Sequence, residues 1–377
     1  MSVFFFGFRS RLNVTAGMRP RHTRSMSPAL ATVALVLLAT VGLTGCTRST
    51  DRETSSAAAA DSTPDSLVIY TYDAFPGDLE EALATHLRET EGIALTLERF
   101  TDTGGLYNEV LLTRNEVADG GGADLVIGLD STYVGPALAE GLFEAYTPEA
   151  IGEVNPALRI DPTHRLIPFD YGNIVLNYDS ETLADPPTTW EGLLDPALAE
   201  SIILMNPATS SPGRNFLLMT VAHFGEEGWL DFWRELRPNI LTVTSGWSDG
   251  YGLYSQGEAP IVVSYETSPA YHIAYEGTER YRNLILDGTG YAQIEVMGIT
   301  AGAPNRAAAQ LAVEFVLSRE FQELIPLNQF MWPVRDDVTL PDAFLQLERP
   351  TESLFLDVAT VDANWDRWLA AWEEAMR

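Results

Sequence analysis

The sequence predicts an α/β protein of two lobes, one inserted into the other. Three observations carry this. From Leu67 onward, β-rich runs alternate with helical runs, the pattern of parallel strands joined by right-handed crossovers. The pattern breaks at "RLIPFDYGNIVLNYDS" (165–180), after which a second α/β series begins. The length of 377 residues suits two domains of roughly 100–200 residues each. Each lobe is expected to be a mixed, mainly parallel sheet flanked by helices. The first would comprise 67–170 and 270–377, the second 171–269.

The elements follow in order. "LVIY" (67–70) is a strand by its β-branched and aromatic content. Residues 78–88 carry acidic side chains at the start of a helical pattern. "IALTLERF" (93–100) alternates apolar with polar and reads as a second strand. "GGLYNEVLLTRNE" reads as a helix, and "ADLVIGLD" (123–130) as a buried third strand. A helical turn follows in "YVGPALAEGLF". In 165–180 two short apolar runs flank Asp170-Tyr171-Gly172. The second series runs through "SIILMNP", a helix over 213–223, "WLDFWREL", "ILTVTS", a helical "SDGYGLYSQG" and "APIVVSY". "AQIEVMGIT", the helix "NRAAAQLAVEFVLS" and a last helix ending in "NWDRWLAAWEEAMR" complete the chain. In that last helix Trp365, Trp368 and Trp372 share one face, a core-packing pattern, with contact to a partner protein as the alternative.

Asp and Glu total 53 against 23 Arg and no Lys, a net charge of -30. Such a surplus argues against nucleic acid as a partner and favours attraction of cations. The N-terminus reads differently. Arg9, Arg11, Arg19, Arg21 and Arg24 precede the apolar "ALATVALVLLATVGL" (29–43). That run is shorter than the ~20 residues of a membrane span and fits a secretory signal. It ends in Leu43-Thr44-Gly45-Cys46, which resembles a bacterial lipobox. The expectation is a signal peptide over 1–45, lipidation of Cys46, and a flexible polar tether over 46–66. Cys46 is the sole cysteine, so no disulfide forms within the chain.

No His pair has ligand spacing and no calcium-loop spacing occurs, so no metal site is expected. "GGGADLV" precedes a strand, the wrong context for a phosphate loop, and no Gly-x-Ser-x-Gly elbow is present. Five polar–aromatic junctions remain, each at the end of a strand-like run. They are Tyr70-Thr71-Tyr72-Asp73, Asp102-Thr103-Gly104-Gly105, Thr209-Ser210-Ser211-Pro212-Gly213, Ser245-Gly246-Trp247-Ser248 and Ser264-Tyr265-Glu266-Thr267-Ser268. Open α/β sheets bind ligands beyond the carboxyl ends of their strands. Singly, each junction has a plainer reading: Ser210 or Ser211 as a helix cap, Trp247 and Tyr72 as core.

The segments "VIYTYDAF", "ADLVIGLD", "PFDYGNIVLNYD", "TSSPG", "VTSGWSDGYGLY", "VVSYETSPAYHI" and "IPLNQFMWPV" occur in that order. Together they resemble the thiamine-binding proteins of bacterial thiamine ABC transporters. The likeness runs from Leu67 to the C-terminus, and "SYxTSPAYH" and "GWSxxYGL" are its specific parts. It implies a type-2 periplasmic-binding fold that closes on its ligand like a clamshell. It also implies a monomeric, non-catalytic receptor, without cofactor, lipid-anchored outside the cytoplasm. The receptor would hand thiamine or its phosphate esters to an ABC permease and its ATPase. The matching ligand-contact positions are Tyr72, Asp102, Thr103, Ser210, Ser211, Trp247, Tyr265, Glu266, Thr267, Ser268, Tyr271, Phe330 and Trp332. Aromatic faces suit a flat cation, and the hydroxyls suit its hydroxyethyl or phosphate tail.

Glu266 departs from the resemblance, which has a hydroxyl residue there. Beside a phosphate, a carboxylate would repel it and favour unphosphorylated thiamine; the alternative is that Glu266 points to solvent. Two other readings stay open. The general pattern is shared with iron and polyamine receptors. The fold also resembles a thiamine-degrading enzyme with a cysteine nucleophile, but here the sole cysteine lies in the signal region.

Overall fold

The computed structural model describes residues 66–377. The expected signal peptide, Cys46 and nearly all of the expected tether lie outside these residues. Ser66, given to the tether above, already belongs to the first strand.

Strand β1 (Ser66–Tyr72) sends Leu67 and Ile69 into a core. It pairs in parallel with β2 (Ala94–Phe100) and β3 (Leu125–Asp130), which lie on either side of it. Helix α1 (Gly77–His86) crosses from β1 to β2 and buries Leu79 and Leu83. Helix α2 (Thr103–Thr113) crosses from β2 to β3, capped at its start by the Asp102 carboxylate. Helix α3 (Val134–Ala139) follows β3 closely.

The two apolar runs of 165–180 form one continuous strand, β4 (Ile167–Asp179), rather than two runs joined at Asp170-Tyr171-Gly172. The polar Asp170 is fully buried, so the local pattern does not show which way the strand faces. A register irregularity between Pro168 and Asp170 accommodates the proline, which has no N–H to give. The second series then supplies β5 (Ile202–Met205), α4 (Ser211–Leu236), β6 (Ile240–Thr244), α5 (Trp247–Ser255) and β7 (Ile261–Tyr265). Helix α4 spans the helix expected over 213–223 and also "WLDFWREL", and is interrupted at Gly225, whose φ of 69° breaks the helical path.

After β8 (Tyr281–Leu284), the long β9 (Thr289–Ile299) runs antiparallel to both β3 and β4. Short strands β10 (Trp332–Pro333) and β11 (Glu352–Leu354) add to β4 and β9. The sheet path is β2-β1-β3-β9-β4-β7-β5-β6, parallel toward both ends and antiparallel in the middle.

Among the described residues two large hydrophobic cores result, with a small third cluster of Ala270, Trp332, Ala343 and Phe344. One large core gathers Ile69, Ile127, Phe169, Val296 and Val313. The other gathers Ile174, Leu204, Phe216, Val262 and Trp233. Strand β4 contributes to both, Phe169 to the first and Ile174 to the second. The division expected from sequence placed 270–377 with the first lobe. In the structure Leu284, Leu286, Tyr291 and the last helix (Val358–Ala375) pack into the second core. Trp368 and Trp372 are buried there, with Trp372 edge-on to Trp233 at 5.7 Å. Trp365 instead carries the buried Arg214 guanidinium 3.5 Å above its ring.

Candidate ligand-binding site

The strand ends of both cores converge on a cavity of about 410 Å³. From the end of β1 comes Tyr72, with Asp73 just past it, from the α2 start Asp102 and Thr103, and from β9 Glu295. From the α4 start comes Ser211, from α5 Trp247, Ser248 and Tyr251, and from the β7 end Tyr265 and Ser268. Tyr271, Gln329, Phe330 and Met331 also line the wall.

Backbone detail sets the positions of these groups. Gly128 sits in a bulge of β3 against β9, with a φ of +89°. A Cβ there would lie 2.1 Å from the Tyr72 ring, so the glycine leaves the space that the tyrosine fills. The Tyr72 hydroxyl donates to Glu295 Oε2 at 2.9 Å and receives the Gln329 amide. The Tyr265 hydroxyl accepts from Gln293 Nε2 at 3.0 Å. Trp247 stacks on Tyr251 with ring centres 4.8 Å apart. Its indole N–H donates to Ser264 Oγ at 2.8 Å, and that hydroxyl bonds Ser268 Oγ at 2.8 Å. Phe330 is held at a φ of 55°, costly for a bulky side chain, with its ring 5.4 Å from Tyr271.

Asp102 joins the two halves of the site. Its carboxylate accepts from the Thr103 amide at 2.7 Å, and from the Ser211 and Trp247 amides at 3.3 Å each. Three helix starts therefore point their free N–H groups at one carboxylate. Burial pushes its pKa up to about 6, against the pull of those amides. Asp130 lies close by. It accepts from Thr132, from the Asn215 amide at 2.6 Å and from the Ser211 hydroxyl.

The remaining positions singled out by sequence lie elsewhere. Ser210 occupies the N-cap position of α4 but makes no side-chain cap bond and is not on the cavity wall. Thr267 is buried against the Met331 sulfur. Glu266 faces neither the cavity nor solvent; it is fully buried and accepts from Trp332 Nε1 at 2.8 Å and Asn173 Nδ2 at 2.9 Å. Trp332 packs edge-on to Phe344 at 5.0 Å, under the Arg349 guanidinium. The reason is directional. The chain turns after Tyr265, so Ser268 returns toward the cavity while Glu266 and Thr267 point into the packing behind it. Glu266→Thr is thus expected to cost about 2–4 kcal/mol, by orphaning two buried donors, and to leave ligand preference unchanged. Chemical denaturation with ligand titration checks both.

Sequence reasoning missed Glu295, Tyr251, Gln329 and Met331. Tyr251 carried a signal, since it lies four residues after Trp247 and so on the same helical face. The site can hold a flat organic cation: aromatic faces offer negative quadrupoles, Asp102 supplies negative charge, and the Asp73 and Glu295 carboxyl groups lie beside it. Among the described residues no cationic side chain lines the cavity, and no cluster of candidate metal ligands occurs.

Such a cleft, between two α/β cores crossed by long strands, defines a solute receptor. The chain belongs to the bacterial extracellular solute-binding protein family, whose model matches residues 122–364. Among its relatives, the thiamine-binding periplasmic protein of Escherichia coli is 34% identical over 313 residues, 82% of this chain and 93% of that one. The protein of the same description from Brucella abortus is 33% identical over 314 residues, 82% of this chain and 91% of that one. A solved periplasmic thiamin binding protein superposes with a TM-score of 0.75 at 32% identity, covering 83% of this chain and 96% of the other.

Proposed function

We propose that this protein captures thiamine outside the cytoplasm, anchored through a lipid on Cys46, and presents it to an ABC permease and its ATPase as a monomer. The observation that carries the reading is the cavity wall: stacked aromatic rings, three carboxyl groups and no opposing cation among the described residues. Thiamine carries a permanent thiazolium charge and a flat aminopyrimidine. Each aromatic face contributes ~0.5–2 kcal/mol to holding such a cation. The names of the relatives support the same ligand.

Within this reading, unphosphorylated thiamine is the preferred form. Glu266 no longer supplies the reason, because it does not reach the cavity. The helix ends supply it instead. The start of α4 would be the natural seat for a phosphate, but Asp102 already takes its Ser211 amide and Asp130 takes its Ser211 and Asn215 side chains. A pyrophosphate would meet carboxylates where it needs donors.

Calorimetry of the purified protein with thiamine and with thiamine pyrophosphate tests both layers. The expected result is saturable one-to-one binding of each, tighter for thiamine by about tenfold or more, ~1.4 kcal/mol. Tighter pyrophosphate binding rejects the preference. Binding of spermidine or ferric ion with no response to thiamine rejects the assignment.

A further inference from the structure

Glu295 occupies an unusual place in the sheet. Its partner across β3 is Asp130 and its partner across β4 is Asp170. Side chains of directly paired residues lie on one face of a sheet, so three carboxyl groups stand in a row across three neighbouring strands. All three are buried, Asp130 and Asp170 at 0% exposure and Glu295 at 6%.

The three have different surroundings. Asp130 is fully supplied with donors, from the Thr132 amide and hydroxyl, Ser211 and Asn215. Glu295 lines the cavity and receives the Tyr72 hydroxyl at 2.9 Å, with Gln293 Nε2 at 3.4 Å. Neither oxygen of Asp170 accepts a well-formed hydrogen bond; the Gln329 amide is near enough to pull its pKa down, but burial outweighs it. A fully buried carboxylate with so little support and no cation is untenable as an anion and must hold a proton or share one. The titratable groups facing Glu295 are Asp170 on β4, Asp130 on β3, Tyr72 on β1, Tyr265 at the end of β7 and Asp102 at the start of α2. None is a cation. Burial first, and then the neighbouring Asp170 charge, hold Glu295 well above the ordinary carboxylate range; burial does the same to Asp170.

We propose that Glu295 and Asp170 form a proton-holding counter-ion for the ligand, so that capture of a cation in the cavity expels their shared proton to solvent. The inference rests on the assignment of thiamine as the ligand. In the ligand-free protein the pair keeps one proton and carries one negative charge. When the cationic ring arrives, Glu295 faces a positive charge across the cavity wall and the second carboxyl ionises. One cation enters and one proton leaves, so the buried charge of the site is unchanged. A ligand of the same shape without the charge gives the pair no reason to ionise.

The test is calorimetry of the whole protein at about pH 8, where Asp102, titrating at about 6, is already ionised and does not contribute. Thiamine is titrated in buffers of different ionisation enthalpy. It is compared with a neutral isostere in which carbon replaces the quaternary nitrogen. The expected result is release of about one proton per thiamine and none with the isostere. Glu295→Gln removes the release and weakens thiamine by about tenfold or more, whereas Asp170→Asn, which lets Glu295 ionise in advance, removes the release and tightens binding several-fold. Thiamine binding to the native protein without proton release, or equal release with the isostere, overturns the proposal while leaving the ligand assignment intact. Absence of thiamine binding overturns both.

Discussion

Asp102→Asn is expected to weaken thiamine binding by at least about 30-fold, ~2 kcal/mol, while making the unliganded protein more stable at neutral pH. Both effects come from one buried charge. Asp102 lines the cavity and accepts three backbone amides, from Thr103, Ser211 and Trp247. Burial nevertheless raises its pKa from 3.8 to about 6. For a carboxyl whose folded value lies above its unfolded one, the favourable contribution is complete below the unfolded value. It is lost as pH rises through the folded value, so above about 6 the ionised Asp102 costs the empty protein stability. Removing the charge should return about 2 kcal/mol, visible as a higher denaturation midpoint above pH 6 and little change at pH 4. Asparagine keeps an accepting oxygen for the Thr103 and Ser211 amides, which share Oδ1, while the Trp247 amide on Oδ2 loses its acceptor, a cost smaller than that of the buried charge. Binding and denaturation measured side by side check the two signs. A variant that lost stability at neutral pH would mean the amides more than repay the charge.

Gly213→Ala is expected to cost more than about 3 kcal/mol and to abolish binding with it. Gly213 lies in the first turn of α4, pressed against the end of β5. A Cβ there would sit 2.3 Å from the Met205 carbonyl oxygen, 2.7 Å from its carbon and 3.0 Å from the Asn206 carbonyl carbon. All three are backbone atoms and cannot turn aside as a side chain could. The start of α4 must therefore move, and with it Ser211, which bonds both Asp102 and Asp130. Urea denaturation of the variant gives the cost; a midpoint equal to that of the native protein would show that the helix start slides freely.

How much of this was legible beforehand follows from what sequence pattern encodes. Strand ends can be read from apolar runs that stop in polar residues, so Tyr72, Asp102, Trp247 and Tyr265 were visible as members of one set. Direction within a turn cannot be read the same way. Glu266, Thr267 and Ser268 are neighbours in sequence, yet only Ser268 reaches the cavity. The continuous β4 was obscured because the buried Asp170 imitates a turn. Glu295 was obscured for the converse reason, since an acid in "AQIEVMGIT" reads as the solvent face of an alternating strand. Both belong to the carboxyl row, which appears only when β3, β9 and β4 are set in register. The last helix was read correctly as a packing face, but its place against the second core depends on long-range packing.

The central claim is that the aromatic, acidic cavity holds thiamine as a cation through Asp102. It is tested most directly by equilibrium dialysis of the intact protein with thiamine at pH 7.5 and at pH 5. One-to-one saturable binding at the higher pH, weakening toward pH 5 more steeply in the native protein than in Asp102→Asn, whose remaining weakening comes from the Glu295–Asp170 pair, is the predicted result. Absence of saturable binding at pH 7.5, or binding of undiminished strength at pH 5, would contradict it.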